Sequence, residues 1–413
     1  MKILFLLPDY FPKSGACTSL LNNLLSAGDF KRLFSQIDAF TYQDKAIGIS
    51  QERYGDMNIY RAGVGSGLRI SQCINLIAHD PLNALLLIAK KIRNKFRAST
   101  FEYAINYEIV DEIEQYLYQI PVEQYDIIVP IVGHLEIMAA TARAKKRFAD
   151  VKMVIYQVDP CASNEIASIS TQGERILFER EVFKLADHVI TTPILLKEAQ
   201  TRYTDDILSK MSAMEFPNVV PRCISEPRDT DKSIRCVFAG NIYGNIRNPQ
   251  YTFSLFKDAG DAFQLELIGD MPKEDIGTCR QNGIKVHGRK PLDETRRELE
   301  RADILVNIGN SMRNQVPSKL FEYISYGKPI VNICKNRDCP TCDYLALYPY
   351  ALNLYEEADI LDEQRSSLRQ FVEENYAKRL TPETIIQIYE ACTPEYCSAQ
   401  MLRIFENVLA TKG

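Results

Sequence analysis

The sequence predicts an α/β protein of two domains, each built on a parallel sheet, and three observations carry that prediction. Apolar runs of strand length recur along the chain, separated by helix-length polar stretches, which is the pattern of a parallel sheet with helical crossovers. At 413 residues the chain is too long for one compact core. Between two sets of such runs lies Asn218 to Asp231 (NVVPRCISEPRDTD), a linker with prolines, charges and little periodicity. The predicted domains are therefore 1–218 and 219–392. Hydrophobic content of 46% with 25% charged residues is ordinary globular usage, and a net charge of −5 argues against a general nucleic-acid binder.

In the first half, Lys2 to Leu7 (KILFLL) is an opening buried strand. A loop containing glycine follows, then a helix that begins near Ser14 or Gly15. Asp126 to Val132, Met153 to Val158 and His188 to Thr192 are further parallel strands, each followed by a helix. Two polar residues stand at strand ends. His134 follows PIVG and is either a hydrogen-bond donor to a substrate or a structural histidine at a helix start; Asp159 in YQVDP is either an acceptor-orienting carboxylate or a turn residue before Pro160. Ile70 to Arg97 joins long apolar runs to a basic end. It reads either as a core-facing helix with a solvated end or as a helix lying on an anionic membrane surface. KILFLLPDYFP is too short and too soon broken by proline to be a secretion signal, and no later apolar run reaches the ~20 residues of a spanning helix, so the expected location is cytoplasmic, with the inner membrane face open through 70–97.

In the second half, Ile234 to Gly240, Phe263 to Gly269, Ile284 to Gly288 and Asp303 to Gly309 are four apolar runs that each end in glycine. Ligands of parallel sheets collect beyond such strand ends. The run QVPSKLFEYISYGKPIV, Gln315 to Val331, then joins a helix to a buried strand. Pro317 suits the first helical position, and Ser318 and Lys319 in the opening turn bring a hydroxyl and an ammonium to the positive end of the helix, a setting for an anion. Leu320, Phe321 and Ile324 form the buried stripe, Glu322 lies off it, and Gly327 closes the helix.

The order and spacing of AGNIYGNIRNP, LIGD and PSKLFEYISYGKPIV resemble the C-terminal half of a GT-B glycosyltransferase, and more narrowly the retaining family 4 group. The resemblance is strongest from Ile234 to Ile333. It implies two Rossmann-like domains facing a cleft, an N-terminal acceptor domain, a C-terminal nucleotide-sugar domain, and a final helix, within 393–413, crossing back to the first domain. The implied donor-binding residues are Gly15, Gly240, Asn241, Arg247, Arg289, Ser318, Lys319 and Glu322. Arg247 matches the second member of the family's basic pair, and Asn241 stands where the first is usually arginine, a charge that Lys319 would supply. Glu322 matches the second glutamate of the family's Glu-x7-Glu motif and Asn314 the first. An amide there still hydrogen-bonds a sugar hydroxyl but carries no charge. His134 and Asn314 are then the candidate catalytic residues and Asp159 the candidate acceptor contact.

The implied reaction moves a sugar from a nucleotide diphosphate sugar to a saccharide or lipid-linked acceptor, with retention of configuration, no cofactor and no metal, in surface polysaccharide or glycolipid assembly. A hydrolysing sugar-nucleotide epimerase of the same fold and a non-catalytic scaffold are the alternatives. Of the 11 cysteines, Cys17, Cys73, Cys161, Cys223, Cys236 and Cys279 are scattered. Cys334, Cys339 and Cys342 form one tight cluster, a loop by this reading, or a zinc site if Cys392 and Cys397 complete it.

Overall fold

The computed structural model describes residues 1–11, 15–42, 48–64, 105–165, 171–222, 233–242, 249–257 and 262–411, with 81, 85, 89 and 247. Most of 70–97, Ser14, Cys73, Cys223 and the linker beyond Arg222 therefore lie outside the described residues. The chain divides into two units, Met1–Glu215 with Pro394–Gly413, and Phe216–Thr393.

The first unit holds an eight-stranded sheet. Its strands are β1 (Lys2–Leu7), β2 (Gln36–Thr41), β3 (Ile49–Tyr54), β4 (Met57–Ala62), β5 (Ile127–Val132), β6 (Lys152–Gln157), β7 (His188–Thr191) and β8 (Met211–Ala213), in the order β3-β4-β2-β1-β5-β6-β7-β8. All neighbours are parallel except β3 and β4. β5 is buried along its whole length, as expected of a parallel strand covered on both faces. The chain runs outward from β1 on one side and from β5 on the other, so the order reverses between the ends of these two strands. β2, β3, β4 and β8 were not anticipated. β3 is polar and almost wholly exposed, so it offers no apolar run; its signal is the turn at Gly55, left-handed at φ 60, between Tyr54 and Asp56.

The final helix, Pro394–Ala410, packs within this unit. Ser398 Oγ donates to the carbonyl of Leu24 at 2.8 Å, and the Phe405 ring meets Phe34 and Phe30 edge-on at 5.8 and 6.5 Å. Gly28 permits this: a Cβ there would stand 2.7 Å from that of Ser398.

The second unit holds a wholly parallel sheet of β9 (Ile234–Ala239), β10 (Phe263–Ile268), β11 (Lys285–Gly288), β12 (Ile304–Ile308), β13 (Ile330–Cys334) and β14 (Ala351–Tyr355), in the order β11-β10-β9-β12-β13-β14. All four glycine-terminated runs are strands, and the order reverses between β9 and β12. Asn307, Asn332 and Asn353 share one register across β12, β13 and β14 and are linked side chain to side chain at 2.7 and 2.8 Å, so the buried amides of Asn307 and Asn332 are satisfied by each other and by the half-buried Asn353. On the other half of the sheet Arg235 forks onto Glu266 with two 2.7 Å bonds, and His287 Nε2 meets the same carboxylate at 2.7 Å. Among the described residues no helix is long and apolar enough to cross a membrane.

Candidate functional site

The reversal between β9 and β12 leaves a space beyond their carboxyl ends, where open parallel sheets take ligands. Gly240 and Asn241 follow β9. The amide of Gly240 donates to Ile268 at 2.7 Å, and a Cβ on Gly240 would lie 2.9 Å from Lys319 Nζ. Gly269, which ends β10, has φ 136, and a Cβ on it would lie 2.1 Å from the carbonyl oxygen of Gly240. Only glycine fits there, so Gly269 keeps the end of β10 close to the backbone of the turn after β9.

Lys319 crosses this space to donate to the carbonyl of Ala239. Tyr323, one turn on, accepts the amide hydrogen of Ala239 at 2.8 Å, so the Ser318–Ile324 helix is stitched to the end of β9. Arg247 donates through Nε to Asn310 Oδ1 at 3.0 Å and through a terminal nitrogen to the carbonyl of Asn241 at 3.2 Å. Burial first, and then the Arg247 charge, bring Lys319 down to about 8, while Glu322 partly opposes them. The structure thus gathers Gly240, Asn241 and Arg247, from the turn after β9, with Lys319, distant in sequence, into one cationic cluster.

The remaining expected residues fall as follows. Ser318 opens the helix, but Pro317 is the cap before it rather than its first residue, and Ser325, not Gly327, caps the far end. Gly327 comes two residues later at φ 63, where a Cβ would meet the Leu380 carbonyl at 2.4 Å. Glu322 is half-buried, 3.8 Å from Arg222, whose guanidinium also lies 5.0 Å from the Tyr326 ring centre. Asn314 is buried in the loop after β12. Arg289 is exposed, 3.6 Å from Asp270, whose amide donates to Asn241 Oδ1 at 3.1 Å. Asn310, Asp270 and Arg222 were missed by sequence reasoning. Asn310 was legible in principle, as the residue after the Gly309 strand end; Arg222 was not, because 100 positions separate it from Glu322.

In the first unit, the corresponding strand ends carry Asp9, Gly15, His134 and Asp159. Gly15 caps the Ala16–Ala27 helix with its Cβ position 2.6 Å from Asp9 Oδ1, and Thr18 Oγ1 donates to the carbonyl and carboxylate of Asp9 at 2.8 and 3.2 Å. Burial and the charges of Asp159 and Asp9 push the Cys17 thiol up to about 12, so this end of the sheet is acidic. His134 is the exposed cap of the Leu135–Arg147 helix and makes no capping bond with its side chain. Asp159 is half-buried, its carboxylate beside Gly133. Behind it Glu179 is buried, accepting from Gln157 at 2.8 Å and from the Tyr203 hydroxyl. Among the described residues no group of three or more His, Cys, Asp or Glu is arranged to hold a metal ion; Cys397 belongs to the first unit, donating to the carbonyl of Glu215, and the Cys334 cluster to the second.

No protein-family model matches the chain, and no curated protein matches it. Solved structures do. The lipopolysaccharide outer core galactosyltransferase WaaB, apo form, aligns over 100% of both chains at 16% identity with a TM-score of 0.57. The sucrose-phosphate synthase from Thermosynechococcus elongatus also aligns over 100% of both, at 12% identity and 0.64. Anabaena HepE in complex with UDP and glucose aligns over 98% of this chain and 100% of that one, at 10% identity and 0.62. The chain therefore has the GT-B fold.

Proposed function

We propose that this chain is a glycosyltransferase that moves a sugar from a nucleotide diphosphate sugar to an acceptor hydroxyl, and that the second unit binds the donor. The observation that carries the reading is the pairing of Lys319 with Arg247 at the ends of β9 and β12, near enough that each cation opposes the other. A diphosphate placed there relieves that repulsion. As the bond from the anomeric carbon to the phosphate oxygen breaks, the electron pair and the growing negative charge go to the diphosphate, which the two cations stabilise. The acceptor oxygen forms the new bond and gives up its proton. With this charge supplied by side chains, the reaction is proposed to need no metal, and retention of configuration follows the family resemblance.

Glu322 is assigned to the ribose hydroxyls, Asn314 to a sugar hydroxyl, Arg289 to the base side, and His134 and Asp159 to the acceptor and the reacting sugar. Solved structures of the same fold carry UDP and glucose, which supports a nucleotide-sugar donor, and one is a lipopolysaccharide galactosyltransferase, which supports a role in surface polysaccharide or glycolipid assembly. Contact with an anionic membrane surface through 70–97 belongs to the same proposal.

The test is binding of a panel of nucleoside diphosphates and their sugars to the wild type, Lys319→Ala and Glu322→Ala. Selective binding weakened in both variants supports the donor site. Folded protein that binds no member of the panel sinks the transferase reading in favour of the scaffold, a rival prompted by Asn241 and Asn314. Rapid donor turnover without any acceptor favours the epimerase.

A further inference from the structure

Cys334, the last residue of β13, and Cys342, in the first turn of the Pro340–Leu345 helix, hold their sulfurs 3.3 Å apart. Cys339 caps that helix and donates to or accepts from Thr341 Oγ1 at 3.0 Å. Asn332, the middle rung of the asparagine ladder, sends its amide to Cys334 Sγ at 3.0 Å and to Thr341 at 3.0 Å. The trio is therefore fastened to the sheet rather than carried on a loose loop. Its inner members are buried, while Cys342 is partly exposed and reachable by a small oxidant. Contacts within the trio lower the Cys339 thiol and raise the Cys334 thiol, so the three sulfurs act on one another's protons.

We infer that Cys334 and Cys342 are a reversible dithiol–disulfide pair whose closure shifts the end of β13 against β12. The sulfurs need to close ~1.3 Å to reach the ~2.05 Å of a disulfide. With a peroxide as oxidant, Cys342 sulfur attacks one peroxide oxygen, releasing water and leaving a sulfenic acid. Cys334 sulfur then displaces the second water as the S–S bond forms. Two thiols give up two protons and two electrons, and the peroxide becomes two waters.

The bond acts next to the candidate site. The carbonyl of Ile333, adjacent to Cys334, accepts the amide of Gly309 at 2.9 Å, and a Cβ on Gly309 would lie 3.8 Å from Cys339 Sγ. Gly309 precedes Asn310, the partner of Arg247. Movement of Cys334 is therefore transmitted through Ile333 to Gly309, and, insofar as the donor reading holds, to the grip on the diphosphate.

The experiment treats the purified full chain with hydrogen peroxide, then with dithiothreitol. Disulfides are mapped by mass spectrometry after alkylation, and amide hydrogen exchange is followed at Gly309 and Asn310. A Cys334–Cys342 bridge that dithiothreitol reverses, with at least about a threefold change in Gly309 exchange absent from Cys342→Ser, is the expected result. Both thiols staying free, a bridge to Cys339 instead, or an unchanged Gly309 amide in the bridged protein overturns the inference. So does zinc bound one to one by the reduced protein and lost in Cys342→Ser. UDP affinity is measured alongside: if the reduced chain binds no nucleotide, the donor reading fails while mapping and exchange still decide the thiol pair.

Discussion

Lys319 donates its ammonium to the carbonyl of Ala239, eighty positions earlier, and so ties the start of one helix to the end of the strand that precedes the glycine turn. The same contact buries the ammonium and sets it against Arg247, which makes it a titratable group in the range of ordinary assays.

Removing the Lys319 charge should weaken diphosphate binding. Lys319→Ala is expected to lose ~2 kcal/mol, about thirtyfold in affinity for UDP by calorimetry, as a charge-assisted hydrogen bond is lost. Unchanged affinity would place the diphosphate elsewhere.

The pH dependence has a definite sign. Because burial and Arg247 lower Lys319 from 10.5 to about 8, the free protein loses this charge as pH rises through about 8, and UDP affinity should fall over the same interval. The unfolded chain keeps its proton up to 10.5, so between about 8 and 10.5 this group makes folding more favourable as pH rises. The affinity loss is thus separable from unfolding by monitoring circular dichroism at each pH.

Gly269→Ala should disrupt the second unit, since a methyl group 2.1 Å from the Gly240 carbonyl has no room and φ 136 is strained for alanine. Gly277→Ala is the control. That glycine lies inside the Lys273–Gln281 helix with nothing within 4 Å of its Cβ position, so alanine should stabilise by about 1 kcal/mol. Thermal melting of the two variants should move in opposite directions.

Glu266→Gln should cost ~3 kcal/mol in urea titrations at pH 7, because Arg235 loses the charge it forks onto. Burial pushes the Glu266 carboxyl up, but the Arg235 and His287 bonds outweigh it and hold it near 2. Its stabilisation is therefore present above the unfolded value of 4.5 and lost as pH falls toward 2. The variant should show a shallower acid limb over that window.

His134→Ala should leave UDP affinity and melting temperature unchanged, because the imidazole is exposed and makes no capping bond, yet slow sugar transfer by about a hundredfold if it acts on the reacting groups. Equal loss of binding and transfer would assign it to donor binding instead.

Much of the fold was legible because buried parallel strands must be apolar and must turn sharply at their ends. KILFLL is β1 residue for residue, and every glycine-terminated run of the second half is a strand. Of the strands that escaped notice, β3 is exposed and β8 three residues long, so burial leaves little mark on their sequence, while the apolar runs of β2 and β4 are interrupted by the buried charges Asp38 and Arg61. Lys319 and Glu322 could be singled out from one helix because their places in its first turns, off the buried stripe, are a local property of the sequence. That Lys319 sits against Ala239 and Arg247, that Arg222 reaches Glu322, and that the Cys334 and Cys342 sulfurs touch on a platform of three asparagines from three strands was decided by strand order. A one-dimensional pattern records which residues must be buried, whereas the pairing of strands chooses which distant charges and sulfurs then meet.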